Sequence, residues 1–198
     1  IKPLKLIKMK SSKINVVVEG IKMSLPAESV QYRKDSITPY VYGRGPIASS
    51  MVKQFVKAKY PSVVCTVKSS SFANGSSLDV YVSKPNGSEV EVEIYNDIER
   101  FADSFEYGRY NGMEESYDYY ENSGVKTQKG MEIQAGVKYV HTNNKPSFGS
   151  VGDCVRMLNG MVAGEYVWGP LTIEKAIEKI MGYNVTRNTI DKALVYVK

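Results

Sequence analysis

Between residues 63 and 94 apolar and polar positions alternate almost without interruption. Val63, Cys65 and Val67 interleave with Val64, Thr66 and Lys68; Leu78, Val80 and Val82 with Asp79, Tyr81 and Ser83; Val90, Val92 and Ile94 with Glu89, Glu91 and Glu93. A period of two marks strands with one apolar face. Asn74-Gly75 and Asn86-Gly87 sit in the two connections, so the pattern predicts an antiparallel meander. The period changes on both sides. Gly45-Pro46 opens a helix that carries Ile47, Met51, Phe55 and Ala58, widened by Val52 and Val56 and stopped by Pro61. Ile98, Phe101, Ala102 and Phe105 form the stripe of a second helix, with Asn96 or Asp97 as its cap. Residues 46–105 therefore read as α-β-β-β-α, two helices over one face of a sheet.

The flanks are less regular. Residues 1–45 read as extended, with strand candidates at 14–20, 29–33 and 38–43. Residues 131–142 suggest a hairpin or two short strands, and 165–169 another strand. Ser150, with Asp153 three residues on, caps a helix expected to end at Gly160. Ile173, Ala176, Ile177, Ile180 and Met181 predict a helix stopped by Gly182, and a last helix covers 187–195. The fold class is α+β. Its expected parts are an N-terminal β extension at 1–45, an α+β domain at 46–145, and a mainly helical segment at 146–198, either separate or packed on the same core.

Composition adds three constraints. With 198 residues, 42% hydrophobic and 24% charged, the chain is long enough for a proper core. No run of about 18 apolar residues exists to cross a membrane. His141 is the only histidine and the two cysteines lack ligand spacing, so neither a metal nor a cofactor is expected. Cys65 falls on a strand and Cys154 on a helical stripe, which suggests two separate core thiols of a reducing compartment.

Charge is unevenly placed. Residues 1–68 carry 13 Lys/Arg against 3 Asp/Glu, whereas 88–121 carry 2 against 11, in a chain of net charge +5. The acidic stretch includes YGRYNGMEESYDYYE (107–121), with five tyrosines and four carboxylates. Glu89, Glu91 and Glu93 on the outer face of the third strand, with Glu114, Glu115, Asp118 and Tyr110, make a candidate acidic, aromatic binding face.

That glutamate row also tests another reading. The α-β-β-β-α order is that of a double-stranded-RNA-binding module, but three outward carboxylates would repel phosphate. SSSFANGSS (69–77) offers hydroxyls and amides to an anion yet lacks a phosphate-loop frame, so it reads as a long polar hairpin loop. Direct nucleic-acid contact has two candidates. One is the lysines Lys2, Lys5, Lys8, Lys10 and Lys13; the other is a helix-turn-helix-like pair whose second helix opens with Arg187, Asn188 and Thr189. Catalysis finds no constellation of nucleophile, base and orienting group, and a non-enzymatic protein is expected.

KQFVKAKYPSVVCTVKSSSFANGSSLDVYV (53–82), followed by YGRYNGMEESYDYY (107–120), resembles the large polyvalent protein-associated domains, type twenty-nine. The resemblance rests on Tyr60-Pro61 closing a helix, the serine- and glycine-rich turn 69–77, and the aromatic element Asn111 to Tyr117. It covers roughly 46–121. Such domains occur in proteins of phages and conjugative elements, thought to accompany DNA into a new host and blunt its defences. The resemblance implies a factor acting by binding in the host cytoplasm or in the virion. Its expected role is inhibition of a host defence nucleoprotein, of anti-CRISPR or anti-restriction type, through the acidic face. The alternatives are direct nucleic-acid binding and a virion or ejected cargo component.

Overall fold

A computed structural model describes residues 12–32, 39–42, 45–73, 75–111, 116–119, 124–166, 169–183 and 185–197. The chain folds as α+β, with mixed sheets. It opens with a hairpin of β1 (Lys13–Val18) and β2 (Ile21–Pro26). Val18 pairs with Ile21, leaving Glu19 and Gly20 as a two-residue turn at φ 49° and 77°. Such positive values give the turn the twist that a hairpin needs. Alternation places Val16, Val18, Met23 and Leu25 in the core. Strands β3 (Val30–Tyr32) and β4 (Pro39–Tyr42) pair antiparallel.

Helix α1 (Gly45–Lys59) follows the predicted stripe, with Ile47, Met51, Val52, Phe55 and Val56 buried, except that Ala58 in its last turn is exposed. Its Gln54 amide donates to the Ser24 carbonyl (3.0 Å) and accepts from the Ser24 N–H (2.7 Å). One side chain thereby satisfies both backbone groups of a residue in β2 and ties the hairpin to the helix.

β5 (Val64–Phe72) and β6 (Gly75–Ser83) pair from Val64↔Ser83 out to Phe72↔Gly75. The expected long loop 69–77 is thus a ladder, paired as far out as Phe72↔Gly75. Serines are weak strand formers alone, but Ser76 is buried and Ser70 and Ser77 share a 2.7 Å hydroxyl bond.

The third strand of the expected meander does not form. Residues 88–91 are irregular, and α2 (Val92–Asp103) starts four to five residues before the expected cap. Ile94 lies four positions before Ile98, so it extends the stripe of Ile98, Phe101, Ala102 and Phe105; Val92 is left 64% exposed. The α-β-β-β-α unit is therefore α-β-β-α. The period-2 pattern of 90–94 loses because its last member also fits the period of the stronger helix, and Glu93 in the first turn suits the helix dipole.

The vacant place in the sheet is taken by β11 (Tyr139–Asn143), parallel to β6, giving the order β11-β6-β5. Between lie the hairpin of β7 (Gly108–Asn111) and β8 (Ser116–Tyr119), then β9 (Val125–Lys126) and β10 (Glu132–Gln134). β10 pairs parallel to β4 and antiparallel to β9. Residues 131–142 thus hold two short strands in different sheets.

One core joins these parts. Phe101 stacks on Phe55 at 4.1 Å and 5° and meets Phe105 edge-on at 5.7 Å. Beneath them the inner face of the sheet supplies Val67, Leu78, Val80, Val82 and Val140.

The C-terminal helices close a second core. α3 (Val151–Ala163) is capped as expected, Ser150 Oγ accepting from the Asp153 N–H and the Asp153 carboxylate from the Gly149 N–H. It runs past Gly160, because that glycine is a packing position. A Cβ there would lie 2.9 Å from both Glu165 and Tyr166 side-chain atoms. The stop is Gly164 at φ 75°, with the Glu165 N–H reaching back to the Gly160 carbonyl. Glu165 and Tyr166 accordingly do not form the expected strand; residues 167–168 lie outside the description.

α4 (Ile173–Met181) and α5 (Arg187–Leu194) both pack on α3 through Ala176, Ile180, Ile190 and Ala193. The two cores touch where Gly87, in the turn after β6, abuts the backbone of Gly152 in α3. Cys65 and Cys154 are both free thiols.

A carboxylate-rich flank on the second helix

The three glutamates expected in a row do not share a surface. Glu89 lies in the irregular stretch and lines a cleft of about 490 Å³ with Lys145, Arg156 and Tyr196. Glu91 is the N-cap residue of α2, 2.7 Å from the Lys84 ammonium, a bond that holds its carboxyl below the usual range. Glu93 is exposed in the first turn of α2. The row dissolves because a strand that would have aligned the three never forms.

Glu114 and Glu115 lie outside the described residues. Tyr110 is on β7 and Asp118 on β8, where Tyr110 pairs with Tyr117 and Arg109 with Asp118 along the backbone. Of the N-terminal lysines, Lys2, Lys5, Lys8 and Lys10 lie outside the description, and Lys13 begins β1, exposed. Arg187, Asn188 and Thr189 form the first turn of α5, with Thr186 as cap, and the Arg187 guanidinium bonds Asp191 at 3.0 Å.

What the helix α2 does bring together is a different set of carboxylates. Four lie on the helix, Glu93, Asp97, Glu99 and Asp103, and helical geometry divides them between two flanks; Glu106 follows just after its end. On one flank Asp97 is neutralised. It accepts from Lys59 Nζ (2.7 Å), Tyr60 Oη (2.7 Å) and Arg100 (3.1 Å), while Arg100 also makes a bidentate pair with Glu19 at 2.8 and 2.7 Å. Burial opposes the ionised form of Asp97, yet these three donors hold its carboxyl below the usual range; the Arg100 bond does the same for Glu19. This network fastens the turn of the first hairpin and the end of α1 to α2.

On the other flank Glu99, Asp103 and Glu106 face the β11 side. Glu99 accepts from Tyr95 Oη (2.7 Å), which also donates to the Thr142 carbonyl (3.1 Å). Glu106 accepts from the Val140 N–H at 3.3 Å. None of the three carboxylates has an ion pair with a described residue. Burial, then the charges of Glu99 and Glu106, push the Asp103 carboxyl up to about 6. The Tyr95 hydroxyl is pushed up to about 12 by burial and by its bond to Glu99. The set was open to recognition as an i, i+4 pair, Glu99 and Asp103, followed by Glu106, once α2 was correctly started.

No group of three or more histidine, cysteine or acidic residues among the described ones has a metal-holding arrangement. No described helix is long and apolar enough to cross a membrane.

Neither the curated proteins nor the solved structures contain a match to this chain. A family profile does match, that of the large polyvalent protein associated domain 29, over residues 46–147. The match begins at Pro46 as the sequence resemblance does, and it runs on through β9, β10 and β11. Spanning more than half of the chain, it takes in both central helices and the whole three-stranded sheet. The chain therefore belongs to the large polyvalent protein associated domain 29 family, and so to the proteins associated with phages and mobile elements.

Proposed function

We propose that this mobile-element protein acts by binding, and that it blocks a host defence nucleoprotein by presenting the Glu99–Asp103–Glu106 flank of α2 to a basic nucleic-acid channel. The observation that carries the reading is the gathering of Glu99, Asp103 and Glu106 at the end of α2, none of them ion-paired with a described residue, where burial and then the two neighbouring charges raise the Asp103 carboxyl to about 6. Holding like charges together costs stability, and charge held that way steers and orients a positively charged partner. Family membership supports the setting, since the domain occurs among phage and mobile-element proteins. The overall charge of +5 confines any mimicry of nucleic acid to this side of the molecule.

The test is a phage-plating assay in hosts carrying a CRISPR or restriction system, with the protein expressed from a plasmid. The wild-type protein raises plating of a targeted phage. Reversing Glu99 and Asp103 to lysine reduces that protection at least about tenfold, the scale of lost complementarity between close charges. Full protection by the charge-reversed protein, at equal abundance, would sink the acidic-flank reading.

A further inference from the structure

The three-stranded sheet has a second face, and none of the described helices packs on it. The register places Thr66, Lys68, Ser70 and Phe72 of β5 there, with Ser77, Asp79 and Tyr81 of β6 and Tyr139, His141 and Asn143 of β11. In β5 and β11, Lys68, Ser70, Phe72 and His141 are exposed, and Phe72 keeps 44% of its surface in water.

Three rings on this face line up across the strands. Phe72 and Tyr139 stack at 6.0 Å between centroids and 16° between planes; Tyr139 and His141 follow at 6.3 Å and 14°. Phe72 and Tyr139 are on strands separated by β6. They meet because the position opposite Phe72 is Gly75, where a Cβ would lie 3.3 Å from the Phe72 ring and 2.8 Å from the Lys138 side chain. Cations accompany the rings. The Lys138 ammonium, on a residue 9% exposed, lies 5.3 Å from the Tyr139 ring centroid, and the Lys68 ammonium lies 5.6 Å from that of Tyr81. Asp79 is the only carboxylate in this set, between Lys68 and His141 in the register.

We propose that this face is a binding site for single-stranded nucleic acid, with unpaired bases stacking on the exposed Phe72 and His141 rings at the two ends of the row, Tyr139 holding the row together and Lys68 meeting the backbone phosphates. Aromatic rings in a row on a sheet offer π-faces to successive bases, which a duplex keeps inside its own stack. The hydroxyls of Ser70 and Ser77 add polar contacts beside the rings without a charge that would repel phosphate. A cross-strand aromatic cluster also stabilises a sheet by itself. That role needs neither a 44% exposed Phe72 nor accompanying ammonium groups.

The site lies on the opposite side of the sheet from α2, so it is independent of the acidic flank. It is tested on the purified full chain by fluorescence anisotropy, with labelled oligothymidine and oligouridine of about 20 nucleotides, which exceeds single-strand site sizes of roughly 4–16. A duplex of equal length is the control. The expected result is binding of one or both single strands at least about tenfold tighter than the duplex. The tighter of the two, DNA or RNA, names the natural strand.

Phe72→Ala and Tyr139→Ala each weaken that binding about tenfold, within the range known for single stacking contacts, while Phe72→Trp retains it. Lys68→Ala lowers the salt slope by about 1. Equal affinity for duplex, absence of single-strand binding, or undiminished binding by a Phe72→Ala protein with native circular dichroism would each overturn the proposal. The Asp103→Lys protein should bind the strand as the wild type does. Protection without strand binding removes this site alone; strand binding without protection removes the acidic-flank reading alone.

Discussion

The two faces of the β11-β6-β5 sheet are built from alternate residues of the same strands and have opposite characters. The inner face is Val67, Leu78, Val80, Val82 and Val140, all at most 9% exposed and covered by α1 and α2. The outer face holds Lys68, Ser70, Phe72 and His141 in water, where burial cannot explain their choice. Comparing them separates two demands on one segment. Inner residues are selected for volume and shape, and any apolar side chain of suitable size serves. Outer residues contribute little to folding, so the alignment of Phe72, Tyr139 and His141 is where a binding function is visible.

The sharpest way to break the comparison is to damage each face in turn and measure both stability and binding. On the inner side, Phe101 is fully buried between Phe55 and Phe105. Phe101→Ala should destabilise by about 3–5 kcal/mol, the usual loss for a buried aromatic ring. Denaturant unfolding would show it as a lower midpoint at nearly unchanged slope. A loss below about 1 kcal/mol would mean that the inner core tolerates holes, and the contrast between faces would fail.

A smaller effect is expected at Gly75, which serves the outer face. Gly75→Ala puts a methyl group against Phe72 and Lys138. The lysine chain can shift, but a side chain at φ 157° also strains the backbone, so the cost is about 2 kcal/mol. The ring row is displaced in the process. Single-strand binding should fall with it, far more than the stability loss predicts. Unchanged binding would show that the alignment of Phe72 on Tyr139 is incidental.

Which parts of this molecule could be read from its sequence follows the same division. Helices α1, α4 and α5 were legible within a residue or two, because proline, threonine caps and glycine mark their ends and their stripes have a single period. The β5 and β6 strands were legible where apolar residues alternate and missed over Ser69 to Ser77, where the ladder continues through serines that carry no hydrophobic signal. The start of α2 was misread because Ile94 fits both the alternation of Val90 and Val92 and the helical stripe of Ile98. Only Ile94 packing with Ile98 decides between them. The parallel partner of β6 was out of reach, since β11 arrives 56 residues after β6 ends, from beyond α2 and four more strands. For the same reason the outer ring row could not be seen: Phe72 and Tyr139 are brought together only by that pairing. The acidic character of 88–121 was plain, but its working geometry depended on the misread helix start. Three glutamates placed on a strand gave way to Glu99 and Asp103 on a helix end, with Glu106 just beyond it.

The smallest expected effect concerns that helix end, and it has a definite sign. Asp103 is the last residue of α2, where partial burial, then the neighbouring Glu99 and Glu106, disfavour a negative charge, as the helix dipole does at a C-terminus. Its carboxyl titrates at about 6 in the fold, against about 3.9 in an unfolded chain. Between those values the folded protein binds more protons than the unfolded one, so this group's contribution to stability falls as pH rises from about 4 to about 6. Below that window the contribution is fully present; above it, the folded protein carries an unwelcome charge.

The side chain keeps more than a third of its surface exposed, and solvent screens much of the repulsion, so the loss is on the order of 1 kcal/mol. Asp103→Asn removes it. The variant should match the wild type near pH 4 and exceed it by about 1 kcal/mol at pH 7, in urea unfolding at both pH values. If the two stability curves run parallel across the window, Asp103 is neither buried nor crowded by Glu99 and Glu106 in solution. The acidic flank would then lose the concentrated charge that distinguishes it from an ordinary solvated helix end.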